Sequence, residues 1–195
     1  MRTRTLVLST VMLASAGLLT ACGHSMRAAD MPAVKSVAVP DGLSDGEFGV
    51  PADYRAWPKF LVGIEKDQAK QIRDIYISPT GHGVDPGQVF PNGTVSVMEI
   101  WKAKTGADGA LQRDASGRLI KDDLSLVFVM AKSMGAGAKV APQLRTGDWV
   151  YSGFQADGKT VGGPPAAACR SCHLQQASTD WLFRVDEFRA AHRNR

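Results

Sequence analysis

The sequence has few of the residues that build disulfide frameworks, zinc clusters or membrane spans. Its 195 residues include three cysteines and four histidines, too few for a small domain stapled by several disulfides. The one long apolar run is residues 6–19, at the N-terminus. Aromatic residues make up 7% of the chain and the formal net charge is +4, with no arginine-rich stretch interleaved with aromatics. These features argue against a nucleic-acid-binding surface and leave a chain of the size usual for one globular domain.

Two of the three cysteines lie close together near the C-terminus. Cys169 and Cys172 are three positions apart, and His173 follows directly. C-x-x-C-H is the attachment signature of a c-type haem. Its two thiols add to the two vinyl groups on one edge of the porphyrin, and the next residue is carried under the ring, where its imidazole can bind iron. We therefore predict one covalent haem c, with Cys169 and Cys172 as anchors and His173 as the proximal iron ligand.

Other uses of a cysteine pair fit the sequence less well. A zinc site needs four ligands, and the remaining histidines, His24, His82 and His192, are not at paired ligand spacing. A thioredoxin-type pair would lie near a βαβ pattern, whereas this one follows the Gly-Gly-Pro-Pro loop 162–165 near the C-terminus. We interpret His82, in a glycine-rich stretch, as a solvated loop histidine rather than a second iron ligand.

Residues 1–21 are predicted to be a lipoprotein signal peptide. A basic start precedes the apolar run 6–19, which is too short for an ordinary membrane-spanning helix. Residues 19–22, Leu-Thr-Ala-Cys, resemble the bacterial lipobox, in which cleavage precedes a cysteine that becomes lipidated. The mature chain is then expected to start at Cys22, with a plain signal peptide and a stray cysteine as the alternative. Gly23, rather than Asp, points to the periplasmic side of the outer membrane.

Cleavage and lipidation account for the remaining cysteine and for part of the charge. Removing residues 1–21 lowers the count of Lys and Arg from 23 to 21 against 19 acidic residues, so the net charge falls from +4 to +2. Residues 22–46 are rich in Ala, Pro, Val, Ser and Gly without a sustained period and are expected to form a flexible tether. Residues 47–195 are expected to form one haem domain.

The domain is predicted to be mainly β, an α+β fold with an antiparallel sheet and a few short helices. Residues 94–102, 124–131 and 149–154 read as strands, joined by glycine-bearing turns. In the first strand, alternation places Met98 on the face opposite Glu99. In the second, it places Leu124, Leu126, Phe128 and Met130 on one face.

Two short helices are expected as well. One covers residues 65–72. The other follows the haem motif and is capped by Ser178 or Asp180, with Trp181, Val185 and Phe188 on one side.

Several short motifs in order are similar to those of the cytochrome P-460 and cytochrome c′-beta family, over about residues 50 to 190. The matching fragments are Tyr54-Arg55-x-Trp57, Ile72-Arg73-x-Ile75-Tyr76, Phe90-x-Asn92-Gly93-Thr94-Val95-x-Val97-x-Glu99, Cys169-x-x-Cys172-His173 and Thr179-Asp180-x-x-Phe183. The resemblance implies an antiparallel β domain, commonly a homodimer, that binds one haem c through a proximal histidine. Members of the first type oxidise hydroxylamine, and members of the second bind nitric oxide or other small gases.

The sequence departs from the family pattern at the positions that define hydroxylamine oxidation. The lysine that is joined to the porphyrin in those members is replaced by Met98, and the distal acid aligns with Met130. Arg73 matches the family's distal arginine and is expected to contact the pocket or a haem propionate. Replacing a general base by a thioether removes proton transfer and supplies a soft sulfur that iron accepts.

The resulting expectation is an electron carrier on the periplasmic side of a bacterial membrane, with His173 and Met130 as axial ligands, since His/Met ligation is usual in electron-transfer cytochromes. Its partner would be a redox protein. The alternative is a five-coordinate gas-binding cytochrome in which Met98 and Met130 fill space and Phe128 caps the iron. Met134 is a weaker candidate for the sixth ligand, and a hydroxylamine oxidoreductase is disfavoured.

Overall fold

The structure, a computed structural model, describes residues 36–85 and 87–192, the last two by their backbone alone. The predicted signal peptide and the predicted lipidation site at Cys22 lie outside these residues. No helix in the described part of the chain is long and apolar enough to cross a membrane.

Five antiparallel strands form one sheet in which the spatial order follows the order along the chain. The strands are β1 (Lys59–Lys66), β2 (Gln71–Ile77), β3 (Val95–Ala103), β4 (Lys121–Lys132) and β5 (Trp149–Gln155). The helices are short: α1 (Pro79–His82), α2 (Ala166–His173) and α3 (Val185–His192). The predicted mainly β fold with a few short helices is confirmed.

The predicted helix over residues 65–72 is wrong. These residues form the end of β1, a 3₁₀ turn at Asp67–Ala69 and the start of β2, and Lys66 pairs with Gln71 across the hairpin. Lys70 closes the turn in the left-handed conformation, with φ 50°. The residues are good helix formers, but pairing with the sheet outweighs that weak preference.

One face of the sheet, here called the valine face, carries a row of small β-branched side chains. Buried valines of β3, β4 and β5 pack there beneath aromatic residues from the segment before β1. The cluster includes Phe48, Tyr54, Trp57, Tyr76, Val95, Val97, Val127, Val129, Val150 and Phe154. Residues 37–46, which fall within the predicted tether, also reach this domain: Val37, Val39 and Leu43 pack against the cluster.

The opposite face, here called the methionine face, is built from three cross-strand rows in β2, β3, β4 and β5. Strand register sets the rows as Ile77–Ser96–Met130–Tyr151, Ile75–Met98–Phe128–Gly153 and Arg73–Ile100–Leu126–Gln155. Successive residues of a strand point to opposite faces, so Met98 lies on the methionine face and Glu99 on the valine face. The predicted common face of Leu126, Phe128 and Met130 is confirmed.

Leu124 does not join that face. Ile100 pairs with Leu126 but the next residue, Trp101, pairs with Leu124, so β4 carries one extra residue here. Such a bulge reverses the side-chain alternation beyond it, and Leu124 packs with the valine-face cluster instead.

The C-terminal segment covers one end of the methionine face. Leu182, Val185 and Phe188 are buried with Trp149 and Tyr151 of β5. The predicted helix after the haem motif begins later than expected, at Val185, because Trp181 and Arg184 have positive φ and cannot belong to a regular helix. His82 ends α1, where its ring lies against Phe188 at 5.7 Å between centroids, and it is not the solvated loop residue that was predicted.

Candidate haem-binding site

The C-x-x-C-H motif forms the last two turns of α2. Positions three apart in a helix share one side, so Cys169 and Cys172 project in similar directions. Both are free cysteines, Cys169 partly buried and Cys172 exposed. Cys169 packs against the cluster of the methionine face, and burial raises the pKa of its thiol. The pair therefore lies at the junction between that face and solvent, as two thioether anchors require.

Arg170, between the two cysteines, fixes α2 to the sheet. Its side chain is buried, with 1% exposed. The guanidinium donates to both carboxylate oxygens of Asp45, at 2.9 and 2.8 Å, to Thr146 Oγ1 at 2.9 Å and to the Trp149 carbonyl at 2.9 Å. A buried arginine in a forked pair with a carboxylate is geometrically specific. The motif is thus held in place by a residue to which the sequence pattern assigns no role.

His173 is oriented by a backbone carbonyl. Its Nδ1 lies 2.6 Å from the Trp181 oxygen, and a carbonyl can only accept, so Nδ1 carries the proton and Nε2 keeps its lone pair. The ring also meets Tyr151 and Phe183 edge to face, with centroids 5.3 and 4.8 Å away. Burial lowers the pKa of the imidazole, against the opposing effect of the Trp181 carbonyl. A neutral ring with a free Nε2 is the form that binds iron.

The methionine face beside this histidine is apolar and only partly covered. Ile75, Met98, Phe128 and Met130 are each partly exposed, and Phe183, within the C-terminal segment, is 38% exposed. A group of neighbouring apolar side chains that stay partly uncovered is typical of a binding surface. A planar, largely apolar porphyrin attached at Cys169 and Cys172 would cover them.

A family comparison agrees with this geometry. The family model for cytochrome P460 matches residues 51–184. The chain belongs to the cytochrome P460 family. Membership makes it a c-type haem protein with covalently bound haem c. No curated protein matches the chain.

Arg73 is the one charged side chain on the three rows of the methionine face. Its Nη2 donates to Gln71 Oε1 at 3.1 Å, but its Nε is buried without a partner among the described residues, and burial lowers the pKa of the guanidinium. A buried donor without an acceptor is costly. A haem propionate is an acceptor that suits it, so the arginine fits the cofactor of the cytochrome P460 family.

Phe128 occupies a fixed position on the same face. Its ring lies over two glycines: a Cβ built at Gly153 would fall 2.9 Å from Phe128 Cε1, and one at Gly163 would fall 2.4 Å from it. Side chains at either position would displace the ring. Gly163 belongs to the loop that leads into α2, so the aromatic residue and the haem motif of this cytochrome P460 member are linked by packing.

The three methionines predicted as possible ligands are placed differently. Met130 lies in the row of Tyr151, to which it is paired across β4 and β5, and packs with the same cluster as Cys169. Met98 lies one row further along, between Ile75 and Phe128. Met134 is 52% exposed beyond the end of β4 and belongs to neither row.

Sequence reasoning missed the parts that hold the motif in place. Arg170 is one of the variable positions of C-x-x-C-H, and its acceptor Asp45 lies 125 residues away. The acceptor for His173 is a backbone oxygen, which has no sequence signature. The Thr179-Asp180 pair of the family pattern marks this segment in the sequence, but the residues that these two side chains contact can be identified only from the structure.

Proposed function

We propose that this protein is an electron carrier in which His173 and Met130 are the axial ligands of a single haem c. Cys169 and Cys172 hold the porphyrin, and Arg73 receives a propionate. When bound, the haem iron would accept and release one electron reversibly. The protein supplies the ligands, the apolar surroundings and the orientation of the imidazole.

The observation that carries the proposal is the side-chain chemistry of the methionine face. Its three rows present two thioethers, from Met98 and Met130, and no carboxylate or amine among the described residues. Two ion pairs that involve the C-terminal segment and α2 are already formed: Lys132 with Asp180 at 2.6 Å and Arg170 with Asp45 at 2.8 Å. Among the described residues of these three rows, no carboxylate or amine is available as a general base, which disfavours hydroxylamine oxidation.

Met130 is a better candidate than Met98 for the sixth ligand because its row also holds the tyrosine that contacts the histidine. Met130 is paired with Tyr151, whose ring touches the His173 ring. Met98 lies in the next row, beside Phe128. A ligand on the far side of the iron must lie within about 4 to 5 Å of the histidine nitrogen, judging from metal–nitrogen and metal–sulfur bonds of about 2.0 and 2.3 Å. The row of Met130 contains Tyr151, whose ring contacts that histidine.

The experiment compares Met130→Ala with Met98→Ala in the ferric haem-bound protein. The parent should be low-spin, and loss of Met130 alone should make it high-spin and open the iron to carbon monoxide and nitric oxide. Met98→Ala is the matched control and should stay low-spin. A parent that is already high-spin and binds these gases at once would refute the electron-carrier proposal.

Phe128 supports a second candidate, a five-coordinate cytochrome that binds a small gas. The ring packs closely over Gly153 and Gly163, beside a cleft at the outer edge of β5 that is lined by Tyr151, Gly163 and Ala166. An aromatic cap next to an opening suits reversible binding of an uncharged diatomic molecule. The gas-binding outcome of the methionine comparison would select this function.

We further propose that the mature protein is anchored by lipid on Cys22 at the periplasmic side of the outer membrane. The lipobox-like residues 19–22 and the Gly at position 23 support this location, as does the haem motif, since c-type haem is attached outside the cytoplasm. The partner would then be a periplasmic redox protein, and a homodimer is expected from the family.

A further inference from the structure

The turn that presents the Trp181 carbonyl to His173 is conformationally unusual. Asp180 and Trp181 are consecutive residues with φ of 52° and 61°, a region that residues with side chains rarely occupy. Two such residues in sequence persist only when the surroundings hold them. The contacts of Asp180 identify what holds this turn.

Asp180 is the centre of a buried set of hydrogen bonds. Its Oδ2 accepts from Lys132 Nζ at 2.6 Å and from the Phe90 amide at 2.8 Å. Its backbone carbonyl accepts from Trp149 Nε1 at 2.9 Å. Lys132 also donates to the Phe90 carbonyl at 2.7 Å. Both charged residues are at most 9% exposed, so the pair ties the C-terminal segment to the end of β4.

Two further hydrogen bonds hold the residues on either side of the Trp181 carbonyl. The Trp181 amide donates to the Gln176 carbonyl at 2.7 Å, and Thr179 Oγ1 donates to the Leu182 carbonyl at 2.6 Å. With Asp180 fixed from the sheet side, the Trp181 oxygen is left facing His173 Nδ1 at 2.6 Å. The position of the imidazole therefore depends on Lys132 and Asp180, which do not touch it.

We propose that Asp180 and Lys132 are positioning residues that set the hydrogen bond of His173 and, through it, the reduction potential of the haem. A hydrogen bond from the distant ring nitrogen makes a metal-bound imidazole a stronger donor. A stronger donor stabilises ferric over ferrous iron, which lowers the potential. This inference rests on the proposed role of His173 as proximal ligand, which the electron carrier and the gas-binding protein share.

The chain offers a second ion pair as a control, matched in charge and in the burial of its acid. Asp74 of β2 is equally buried and lies 2.5 Å from the ammonium of Lys121, whose side chain is 35% exposed against 11% for Lys132. Neither Asp74 nor Lys121 contacts the C-terminal segment in any hydrogen bond of the described residues. The test compares the double variant Asp180→Asn/Lys132→Met with Asp74→Asn/Lys121→Met, both with haem attached. Asn tolerates positive φ, and each double variant removes one charge of each sign. A change in potential cannot then come from altered net charge.

The double variant Asp180→Asn/Lys132→Met should raise the reduction potential. The ferric-to-ferrous equilibrium should change about tenfold, the lower end of what outer-shell partners contribute. For one electron, this change corresponds to about 59 mV. The His173 Nδ1 proton should exchange with solvent faster, as measured by nuclear magnetic resonance. The control should leave both quantities at parent values. Equal potentials and equal exchange in parent and Asp180→Asn/Lys132→Met would overturn the proposal.

Two additional variants keep the outcome interpretable. If the double variant fails to assemble with haem, Asp180→Asn/Lys132→Gln, which also removes one charge of each sign, is measured in the same way and decides. His173→Gln tests the ligand assignment by itself: an unchanged iron spectrum would reject His173 as ligand and with it the proposed function. A changed spectrum in His173→Gln together with unaltered potentials in the Asp180 variants would reject only the positioning role.

Discussion

The two faces of the sheet differ in whether their buried charged groups find all their hydrogen-bond partners within the protein. On the valine face, Glu99 is 1% exposed, yet both of its oxygens have donors: Tyr54 and Arg55 at 2.6 and 2.7 Å on one, and Trp101 at 3.1 Å on the other. On the methionine face, Arg73 Nε has no partner among the described residues and the methionines remain partly exposed. The valine face also holds two buried polar atoms without a partner among the described residues, Trp57 Nε1 and Ser152 Oγ. The contrast therefore lies in the charged groups: the buried carboxylate has donors on both oxygens, whereas the guanidinium of Arg73 keeps a donor that a cofactor could satisfy.

Two residues that are adjacent in the family motif lie on different faces of the sheet. Met98 and Glu99 point to opposite faces of β3, so the first belongs to the haem surface and the second to the core. Glu99 joins the sheet to the 3₁₀ turn that carries Tyr54 and Arg55. Its role is therefore structural, although it directly follows the position at which hydroxylamine-oxidising members are expected to carry their porphyrin-linked lysine.

The largest expected effect is on haem attachment, which only the methionine face should control. Cys169→Ala combined with Cys172→Ala removes both thioether anchors, and the protein should lose covalent haem completely. Intact mass after denaturation, compared with that of the parent, measures this directly. The matched valine-face variant Glu99→Gln should keep one haem per chain. Haem retained through denaturation by the double cysteine variant would contradict the assignment of the motif.

The second prediction concerns stability, which Glu99 should control without affecting the haem. Glu99→Gln weakens the charged acceptor of four donors, from Tyr54, Arg55, Tyr76 and Trp101, and the free energy of unfolding should fall by about 2 kcal/mol. Denaturant titration of the haem-bound protein measures the change, while the absorption spectrum should stay that of the parent. Glu47→Gln, at an exposed position, is the control and should change stability by no more than about 0.5 kcal/mol. A shifted spectrum without a loss of stability would place Glu99 at the haem instead.

The difference between the faces also explains what the sequence could predict. Alternation in residues 94–102 and 124–131 assigned Met98 and Met130 to their faces, because β-branched runs signal strands directly. It failed at Leu124, since a bulge has no local sequence signature. It failed again at residues 65–72, where helix-forming residues are held in a hairpin by strand pairing.

The site was predictable where covalent chemistry fixes the spacing of residues. Cys169, Cys172 and His173 follow from the attachment reaction itself. Asp45, which holds Arg170, and the Trp181 carbonyl, which holds His173, act across long separations or through the backbone. Their roles depend on how the chain folds back on the sheet, and periodicity or motif spacing contains no information about that.

The smallest expected effect is on how the free energy of unfolding depends on pH, to which the two faces contribute with opposite sign. It is measured in the haem-free chain that carries Cys169→Ala and Cys172→Ala. Burial lowers the pKa of His173. The unfolded chain then binds a proton that the folded chain does not, in the pH range between the folded pKa and the unfolded value of about 6.5. The stabilisation from His173 is complete above about pH 6.5 and is lost as the pH falls through the folded pKa.

Tyr54 should act in the opposite direction on the valine face. Burial and the hydrogen bond to Glu99 raise the pKa of its phenol, so the unfolded chain releases the phenolic proton first, above about pH 10. Its contribution is complete below that pH and is lost as the pH rises. Denaturant titrations over a pH series give the free energy of unfolding as a function of pH. Relative to the haem-free parent, this curve should have a flatter acid limb for His173→Gln and a flatter alkaline limb for Tyr54→Phe. If His173→Gln keeps the full acid limb, the imidazole is already solvated without haem. The methionine face would then form its proximal side only when the cofactor is attached.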